Sequence, residues 1–472
     1  MDRRGFIKSL SASGAALAAG MSSGARNTAS APPGQSKNLI WVMGDQHRGQ
    51  ALSYMGDPNA RTPFLNDLSL RGVTFTSAVS GCPWCTPFRG SLFTSRYNNR
   101  CVYRTPQRLD PRLPTVTDVF NRNGYLTAYF GKWHLSGERK SRAFVPREER
   151  GRFDIWVGYD NSSGPNRYVD ARVHGHDIWG RDDEVADTEK LDGFETDALT
   201  DKLIDFLERR PKNRPFFAVL SVQPPHNPYV APPEYMSHFK ADGIRLRPNV
   251  PLSSEKRSGW KKGLAGYYAL IENLDHNIGR ILKALEKLGI QDDTHLAYFS
   301  DHGDCHGSHG YVRKSSPWEE AIRIPCLFKP AGEKARQRFS NAMFNHVDFA
   351  PTSLGLCGLP IPEWMSGTDF SHHIVDSRPS PANEPDSVFL QHIYRKRFDC
   401  LNRPWRGIRT QEGWKYIILE GQPIMLFNLN EDPYEMTNLV YLDTYNEKRA
   451  EMHHRLAAWL EKTGDDFPMP EL

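Results

Sequence analysis

The stretch NLIWVMGDQ at residues 38–46 contains the pattern that decides the fold. Five apolar residues follow Asn38 without interruption, and the run then stops at Gly44, Asp45 and Gln46. A short apolar run with polar residues at its ends is typical of a buried strand. We therefore predict a strand here, with Asp45 and Gln46 just beyond its carboxyl end.

Three more apolar runs have the same form. They are YLTAYF at residues 125–130, FFAVLS at 216–221 and THLAYF at 294–299, and they lead into GKWH, QPPH and SDHG. Helical spacing of apolar residues lies between them, over residues 199–207 and 271–285. Strands that alternate with amphipathic helices predict an α/β fold with a large, mostly parallel (mixed) sheet flanked by helices on both faces. Because ligands bind beyond the carboxyl ends of such strands, the four polar ends predict one site.

The sequence changes character after residue 375. Three strands are expected at residues 405–410, 414–418 and 425–429, and a final helix over residues 452–460. We predict a catalytic domain over residues 36–375 and a smaller C-terminal α+β domain with an antiparallel sheet over residues 376–472. Residues 139–193 and 229–262 are charged and interrupted by Gly and Pro, and we predict long loops there, over the strand ends.

Composition excludes several classes of protein. The 472 residues include 60 Lys and Arg against 56 Asp and Glu, for a net charge of +4. This balance lacks the basic excess of a nucleic-acid-binding protein, so no nucleic-acid partner is expected. The apolar and aromatic content is high enough for a sizeable core, which excludes intrinsic disorder. No run is long and apolar enough to span a bilayer, so no stable membrane insertion is expected.

The first 31 residues are interpreted as an export signal. Arg3 and Arg4 precede a mildly apolar stretch rich in Ala, Ser and Gly, which ends in the sequence ASA at residues 29–31. This order is typical of a twin-arginine signal, which directs folded proteins across the bacterial inner membrane. A basic N-terminus that precedes small residues by chance is the alternative. We expect the twin-arginine export machinery as a partner and a periplasmic or secreted location.

The segment CTPFR at residues 85–89 resembles the C-x-P-x-R sequence of the formylglycine-dependent (type I) sulfatases of the alkaline phosphatase superfamily. The resemblance continues in the family's order through the four strand ends, Lys314 and the segment DPYEMTNL at residues 432–439. In that family the cysteine is oxidised to an aldehyde, and the hydrated aldehyde is the nucleophile. The resemblance implies this modification for Cys85, with a formylglycine-generating enzyme as the maturation partner.

Seven cysteines are present, an odd number, and their spacing does not match a zinc site. A bridge between Cys82 and Cys85 is the simplest pairing, but the expected modification of Cys85 argues against it. The sequence does not determine how the remaining cysteines pair.

The same resemblance implies a metal site at the strand ends. Asp45, Gln46, Asp301 and His302, together with residue 85, would bind one divalent cation that contacts both the nucleophile and the sulfate oxygens. Such a cation acts as a Lewis acid and neutralises charge. Ligands that are mostly oxygen atoms favour Ca²⁺. The imidazole of His302 also suits Mn²⁺ or Zn²⁺.

The resemblance also implies roles for five catalytic residues. Arg89 and Lys132 hold the hydrated formylglycine, and Lys132 also reaches the sulfate. Lys314 binds sulfate and stabilises charge on the leaving oxygen, for which His226 is the candidate general acid. His134 is the candidate base that takes a proton from the second hydroxyl and so releases sulfate. Taken singly, these residues also fit surface lysines and structural histidines, and their ordered occurrence at strand ends favours catalysis.

Four further residues are candidates for binding the substrate: His306, Arg48, Arg104 and Arg313. The resemblance and the export signal imply a secreted bacterial sulfatase that acts on a sulfated carbohydrate, a poly- or oligosaccharide, without identifying the sugar. The alternative is a phosphonate monoester or phosphodiester hydrolase of the same superfamily, because such relatives share similar metal pairs. An inactive carbohydrate-binding relative is disfavoured because no expected catalytic position is missing.

Overall fold

The computed structural model describes residues 36–137, 143–183, 188–332, 337–376, 383–394, 401 and 403–472. The predicted export signal and Cys400 lie outside these residues. Within them, no helix combines the length and the apolar character needed to cross a bilayer.

Ten strands form one large sheet. They are β1 (Asn38–Asp45), β2 (Val73–Phe75), β3 (Leu126–Lys132), β4 (Ile155–Tyr159), β5 (Arg172–His176), β6 (Glu189–Lys190), β7 (Phe216–Pro225), β8 (Thr294–Ser300), β9 (Cys326–Lys329) and β10 (Arg338–Ser340). Their spatial order is β10-β2-β9-β8-β1-β7-β3-β4-β5-β6. The five strands from β8 to β4 are mutually parallel, whereas β9 and β5 run antiparallel to their neighbours β8 and β4. The predicted large mixed sheet is therefore confirmed.

Helices cover both faces of this sheet. They are α1 (Pro63–Leu70), α2 (Cys85–Thr94), α3 (Val116–Arg122), α4 (Glu195–Arg209), α5 (Pro233–Met236), α6 (Arg257–Lys287), α7 (Glu319–Ile322), α8 (Phe349–Leu356) and α9 (Ser371–Ile374). Successive side chains of a strand point to opposite faces. Trp41 and Met43 of β1 therefore belong to the core formed with α2, α3 and α8, whereas Ile40 and Val42 belong to the core formed with α1, α4 and α6.

The four strands with polar ends are neighbours in the sheet. β8, β1, β7 and β3 lie side by side and parallel, so their carboxyl ends meet at one edge. This topology brings Asp301, Asp45, His226 and Lys132 to the same edge although they are far apart along the chain. The predicted convergence of the strand ends follows directly from this strand order.

The loop predicted over residues 139–193 contains three strands that the sequence pattern did not reveal. β5 and β6 have few apolar residues, and they extend the sheet by pairing with β4 and with each other. Gly175 permits this pairing, because a Cβ atom there would lie 1.8 Å from the carbonyl oxygen of Trp156. Likewise, residues 229–262 contain α5 and the first turns of α6 rather than loop alone.

The C-terminal region forms the predicted α+β unit. Strands β11 (Ser387–His392), β12 (Trp405–Thr410), β13 (Trp414–Leu419) and β14 (Gln422–Asn428) make an antiparallel sheet, and α10 (Asn446–Thr463) follows. Met452 and Leu456 of α10 pack against Ile408 and Tyr416 of the sheet. The boundary at residue 375 between the two predicted domains stays a prediction.

A buried ion pair joins the end of the chain to this sheet. Arg406 donates two hydrogen bonds to Asp465, from Nε at 2.7 Å and from a terminal nitrogen at 3.0 Å. Both side chains are almost fully buried. Replacing Asp465 with alanine is expected to lower the free energy of unfolding by about 3 kcal/mol, because the Arg406 charge would stay buried without its partner.

Urea denaturation measures this effect. Asp466→Ala is the matched control, because Asp466 is the next residue and is exposed, so a change below about 0.5 kcal/mol is expected. Equal losses in the two variants would contradict the stabilising role of the Arg406–Asp465 pair.

Candidate active site

Cys85 is the first residue of α2 and lies at the centre of the site. All ten residues of α2 are buried, and the thiol points towards the ends of β1 and β8. Its Sγ lies 3.0 Å from Nζ of Lys314, 3.2 Å from Nε2 of His302 and 3.6 Å from Oδ1 of Asp45. The thiol therefore marks the position that a nucleophilic oxygen on residue 85 would take, between a cation and several potential metal ligands.

Three further potential metal ligands converge on this thiol. Atoms of Asp45, Cys85, Asp301 and His302 that can bind metal all lie within 4.8 Å of one another. Nδ1 of His302 lies 2.9 Å from the carbonyl oxygen of Gly303. A proton on Nδ1 would satisfy that contact and leave the Nε2 lone pair facing the cluster.

Gln46 lies beside the same cluster, because its backbone N–H donates to Oδ1 of Asp301 at 3.0 Å. Its Nε2 donates to Oδ2 of Asp304 at 2.6 Å, whereas its Oε1 is buried and accepts no hydrogen bond from any described residue. A positive φ of 76° at Gln46 turns the chain sharply at the end of β1. Two carboxylates, an amide oxygen and an imidazole together make a donor set that fits a divalent cation.

The electrostatics of the cluster also fit a cation. Burial and the charge of Asp45 raise the pKa of Asp301 to about 6. Burial opposes ionisation of Asp45 as well, but the charges of Lys132 and Lys314 hold its pKa well below the usual value. A divalent cation between the two carboxylates would offset the repulsion that raises the pKa of Asp301.

Two buried cations support the same residues. Nζ of Lys132 lies 2.5 Å from Oδ2 of Asp45, and the guanidinium of Arg89 lies 3.4 Å from Oδ2 of Asp301. Arg89 also donates to the carbonyl oxygen of Lys132 and to Oγ of Ser221, which fixes its orientation. These two cations place positive charge beside Asp45 and Asp301, which would stabilise an anionic ester bound there.

The positive charges also act on the thiol. Burial and the charge of Asp45 raise the pKa of Cys85, but the charges of Lys314 and Lys132 outweigh them and lower it to about 5. The site therefore stabilises negative charge on the group at position 85.

The two candidate acid–base histidines are half-buried at the same edge. Burial and the charge of Lys132 lower the pKa of His134 to about 3, and its Nδ1 has no hydrogen-bond partner among the described residues. His134 is therefore neutral at pH 7. Nδ1 of His226 lies 2.8 Å from the carbonyl oxygen of Asn227, so its Nε2 is the nitrogen available for proton transfer.

The four substrate-binding candidates occupy different places. Arg48 is buried, with its guanidinium 2.7 Å from the hydroxyl of Tyr268. His306 is also buried, with its ring 4.3 Å from that of Tyr267. Arg104 and Arg313 are exposed, and Arg313 directly precedes Lys314.

Several supporting residues were not singled out from the sequence. Ser221 orients Arg89, and Asp304 orients Gln46 together with the Tyr229 hydroxyl, which lies 2.6 Å from the Asp304 carboxylate. Asp304 follows closely on the predicted metal ligands in the sequence SDHGD, which was the available signal. Ser221 and Tyr229 have no comparable signal, because their roles depend on contacts between distant segments.

Comparison with known proteins identifies the family. Residues 37–359 match the family described as "Sulfatase", which is more than half of the chain. The chain belongs to the sulfatase family. Residues 307–462 match the family described as "N-sulphoglucosamine sulphohydrolase, C-terminal". Membership makes the chain a sulfuric ester hydrolase, and it implies a formylglycine and a divalent metal.

Individual relatives agree with this result. An "Ulvan-active sulfatase" of Formosa agariphila is 34% identical over 438 residues, which is 91% of this chain and 82% of the relative. A solved structure from a study of glycosaminoglycan metabolism by Bacteroides thetaiotaomicron is 25% identical with a TM-score of 0.81, covering 92% of this sulfatase and 97% of the other chain. A phosphonate monoester hydrolase of Agrobacterium radiobacter is 20% identical with a TM-score of 0.73, covering 90% and 96%, and shares the fold.

Proposed function

We propose that this sulfatase hydrolyses sulfate monoesters on a sulfated poly- or oligosaccharide, through a formylglycine made from Cys85 and one divalent cation. The observation that carries the proposal is the position of Cys85, at the start of a buried helix and 3.0 Å from Nζ of Lys314. The names of the ulvan-active relative and of the glycosaminoglycan study support a sulfated carbohydrate as the substrate.

Two lysines and two histidines of the site have tasks in this reaction. A hydrated aldehyde at position 85 supplies one hydroxyl that attacks sulfur and a second whose loss of a proton releases sulfate. Lys132 and Lys314 flank position 85 and would neutralise the sulfate oxygens. His226 would donate a proton to the leaving sugar oxygen, and His134, neutral at pH 7, would accept the proton of the second hydroxyl.

Substrate binding also prepares His226 for its role. In the free site, burial and the charges of Lys314 and Lys132 hold the pKa of His226 well below its usual value. A bound sulfate ester brings negative charge that offsets those two cations. The pKa of His226 therefore rises when the substrate is present, and a protonated Nε2 becomes accessible.

Ca²⁺ is the cation we propose. Asp45, Gln46 and Asp301 offer oxygen atoms, the ligand type that Ca²⁺ and other hard cations prefer. His302 is the one nitrogen ligand, and it makes Mn²⁺ the second choice. When bound, the cation supplies Lewis-acid activation and neutralises charge near residue 85.

We also propose export by the twin-arginine machinery, on the paired arginines at residues 3 and 4, to the periplasm or outside the cell. A formylglycine-generating enzyme is the proposed maturation partner. Cell fractionation of the native producer, with Arg3→Lys and Arg4→Lys introduced together, tests the route. Retention of the double variant in the cytoplasm is expected, whereas unchanged export would contradict it.

Release of inorganic sulfate tests the function. The chain is co-expressed with a formylglycine-generating enzyme and incubated with ulvan, glycosaminoglycans, an aryl sulfate, a phosphonate monoester and a phosphodiester. Sulfate release from one glycan is the expected result. Turnover of the phosphorus esters alone would contradict the proposal and favour the phosphonate monoester or phosphodiester hydrolase.

His226→Ala is expected to affect substrates unequally. A sugar alkoxide is a poor leaving group that needs a proton, so kcat on the glycan is expected to fall about 10²- to 10³-fold. A nitrophenolate leaves without protonation, so the rate on nitrophenyl sulfate is expected to fall less than about tenfold. His238→Ala, on an exposed histidine, is the control. Equal losses on both substrates would exclude His226 as the general acid.

Aromatic side chains form a rim beside the nucleophile. Trp84 directly precedes Cys85, and its ring stacks with that of Tyr394 at 6.2 Å and 27°. The exposed guanidinium of Arg104 lies 5.6 Å from the centre of the Tyr394 ring and 5.9 Å from that of Tyr103. Trp84 is buried, whereas Tyr103 and Tyr394 are exposed. We propose that the rings of Tyr103 and Tyr394 stack on the sugar while Arg104 pairs with an anionic group of the same saccharide.

Arg104→Ala tests this rim. The expected result is a KM for the sulfated glycan about tenfold higher with kcat nearly unchanged, because the lost contact serves binding alone. Arg112→Ala is the matched control, since Arg112 is exposed and pairs only with its neighbour Asp110 among the described residues. A fall in kcat at constant KM would contradict the proposed role.

A further inference from the structure

A second cavity lies apart from the nucleophile. Its volume is about 610 Å³, and it is enclosed by the segment after β1, residues 245–248 before α6, and residues 429–434 of the C-terminal region. Neither Cys85 nor any of the ligand atoms around it lines this cavity. Ligand sites of small molecules typically have volumes of about 300–1,000 Å³, so the space suits a mono- or disaccharide.

The wall of this cavity contains five arginines: Arg48, Arg245, Arg247, Arg323 and Arg409. We call it the arginine cavity. Among the described residues, the carboxylates that line it are Asp57 and Glu319. A concave surface with such an excess of positive charge concentrates anions.

Three of the arginines already have carboxylate partners. Arg48 lies 3.6 Å from Asp57, Arg247 lies 2.7 Å from Glu320, and Arg409 lies 3.4 Å from Glu319. These pairs hold their guanidinium groups in place and neutralise them in part. The carboxylates of the wall therefore already form ion pairs, and little negative charge is left to neutralise the other two arginines.

Arg323 and Arg245 are the two that remain. Within the described part of the chain, neither guanidinium forms an ion pair or a hydrogen bond. Burial lowers the pKa of Arg323, and the charges of Arg409 and Arg247 lower it further. The charge of Glu319 raises the pKa but does not outweigh these effects. A half-buried guanidinium among other cations is stabilised by an oxyanion, which can accept two parallel hydrogen bonds from it.

The cavity also offers an apolar surface. The guanidinium of Arg247 lies 4.8 Å from the centre of the Tyr434 ring, and Pro248 and Pro433 stand beside them. A flat wall of this kind packs against the C–H face of a sugar ring. Charge and shape together therefore select an anionic sugar rather than a bare ion.

We propose that the arginine cavity is a second, non-catalytic binding site for one sulfated or carboxylated sugar unit of a polyanionic saccharide. Arg323 and Arg245 hold the anionic group, and Tyr434 with Arg247 holds the ring. The choice of a saccharide rests on the proposed function, whereas the preference for an oxyanion rests on the cavity alone. Such a site would retain a polymer beside the catalytic centre between successive cleavages.

Titration calorimetry on the full chain with Cys85→Ala tests the proposal without turnover. The probes are sulfated ulvan oligosaccharides of one size, a neutral oligosaccharide and inorganic sulfate. Two oligosaccharides are expected to bind per chain. Binding at the arginine cavity is expected to be lost in Arg323→Gln. In Arg245→Gln its affinity is expected to fall about tenfold, a change of about 1.4 kcal/mol. Arg71→Gln, at the exposed end of α1, is the matched control and is expected to change nothing.

Two results would overturn the proposal. The first is unchanged binding in both Arg323→Gln and Arg245→Gln. Because Arg245 is exposed, its replacement keeps the test valid if the Arg323→Gln variant is unstable. The second is inorganic sulfate binding to the cavity as tightly as the oligosaccharide, which would make it a site for a free oxyanion. Failure of the proposed function would appear separately, as absent sulfate release from every glycan.

Discussion

Cys85→Ala is expected to lower sulfate release from the glycan by at least about 10³-fold, the largest effect of any substitution in this sulfatase. Alanine removes the group on which the reaction depends and leaves Lys314 and His302 without the atom that they flank at 3.0 and 3.2 Å. The measurement is the initial rate of sulfate release from enzyme co-expressed with a formylglycine-generating enzyme.

Cys85→Ser separates the need for a nucleophile from the need for a second hydroxyl. Serine provides one hydroxyl at the same position, but it has no second proton whose removal would expel sulfate. If residue 85 stays serine, at most one turnover per chain is expected, seen as a burst of alcohol release without continuing sulfate release.

Cys82→Ala provides the matched control for both variants. Cys82 is a buried residue of the same segment, and burial raises the pKa of its thiol far above that of Cys85. We expect it to retain activity within about threefold, since none of its contacts within the described residues involves a reacting group. Mass spectrometry of the peptide around residue 85 reports the modification, and full activity of a chain whose Cys85 is an intact thiol would contradict the mechanism.

Asp45→Asn is expected to lower the rate by about 10²- to 10³-fold and to reduce the bound metal. The change removes one of two buried negative charges from the ligand cluster. It also leaves Nζ of Lys132, now 2.5 Å from the Asp45 carboxylate, beside a neutral amide. The substitution adds no volume, but it weakens binding of the cation and removes the charged partner of Lys132.

Metal content by atomic emission and activity after chelation measure this effect. Activity is expected to disappear on dialysis against a chelator and to return best with Ca²⁺, next with Mn²⁺. Asp205→Asn is a control outside the metal cluster, since Asp205 is exposed on α4 and pairs with Arg209 instead. Full activity in thoroughly metal-free enzyme would contradict the cation's role, and recovery with Mn²⁺ alone would replace Ca²⁺ as the proposed metal.

The sequence located the site because of how its central strands end. β1, β3, β7 and β8 are short apolar runs that stop at polar residues, and buried parallel strands leave no other place for those residues. β5 and β6 could not be found in this way. Their sequences RVHGH and EK have little apolar periodicity, so their strand conformation depends on the neighbouring strand rather than on their own composition.

The sequence did not predict how individual side chains are oriented. Arg48 stands three residues after Asp45, yet its guanidinium lies against Tyr268 and Asp57 and lines the arginine cavity. The contact between Trp84 and Tyr394 likewise joins segments that are 310 positions apart. Such contacts depend on packing between distant segments, which a single sequence does not specify.

Because α2 is completely buried, the proposed chemistry makes the active fraction of this sulfatase depend on whether Cys85 is oxidised before the chain folds. The proposed oxidation needs access to the side chain of Cys85, whereas in the folded chain every residue of α2 is buried. On this proposal, oxidation competes in rate with folding, and a chain that folds first would keep its thiol. Specific activity in a preparation is then the outcome of this kinetic competition, and slower synthesis or more of the oxidising enzyme raises it without any change in stability.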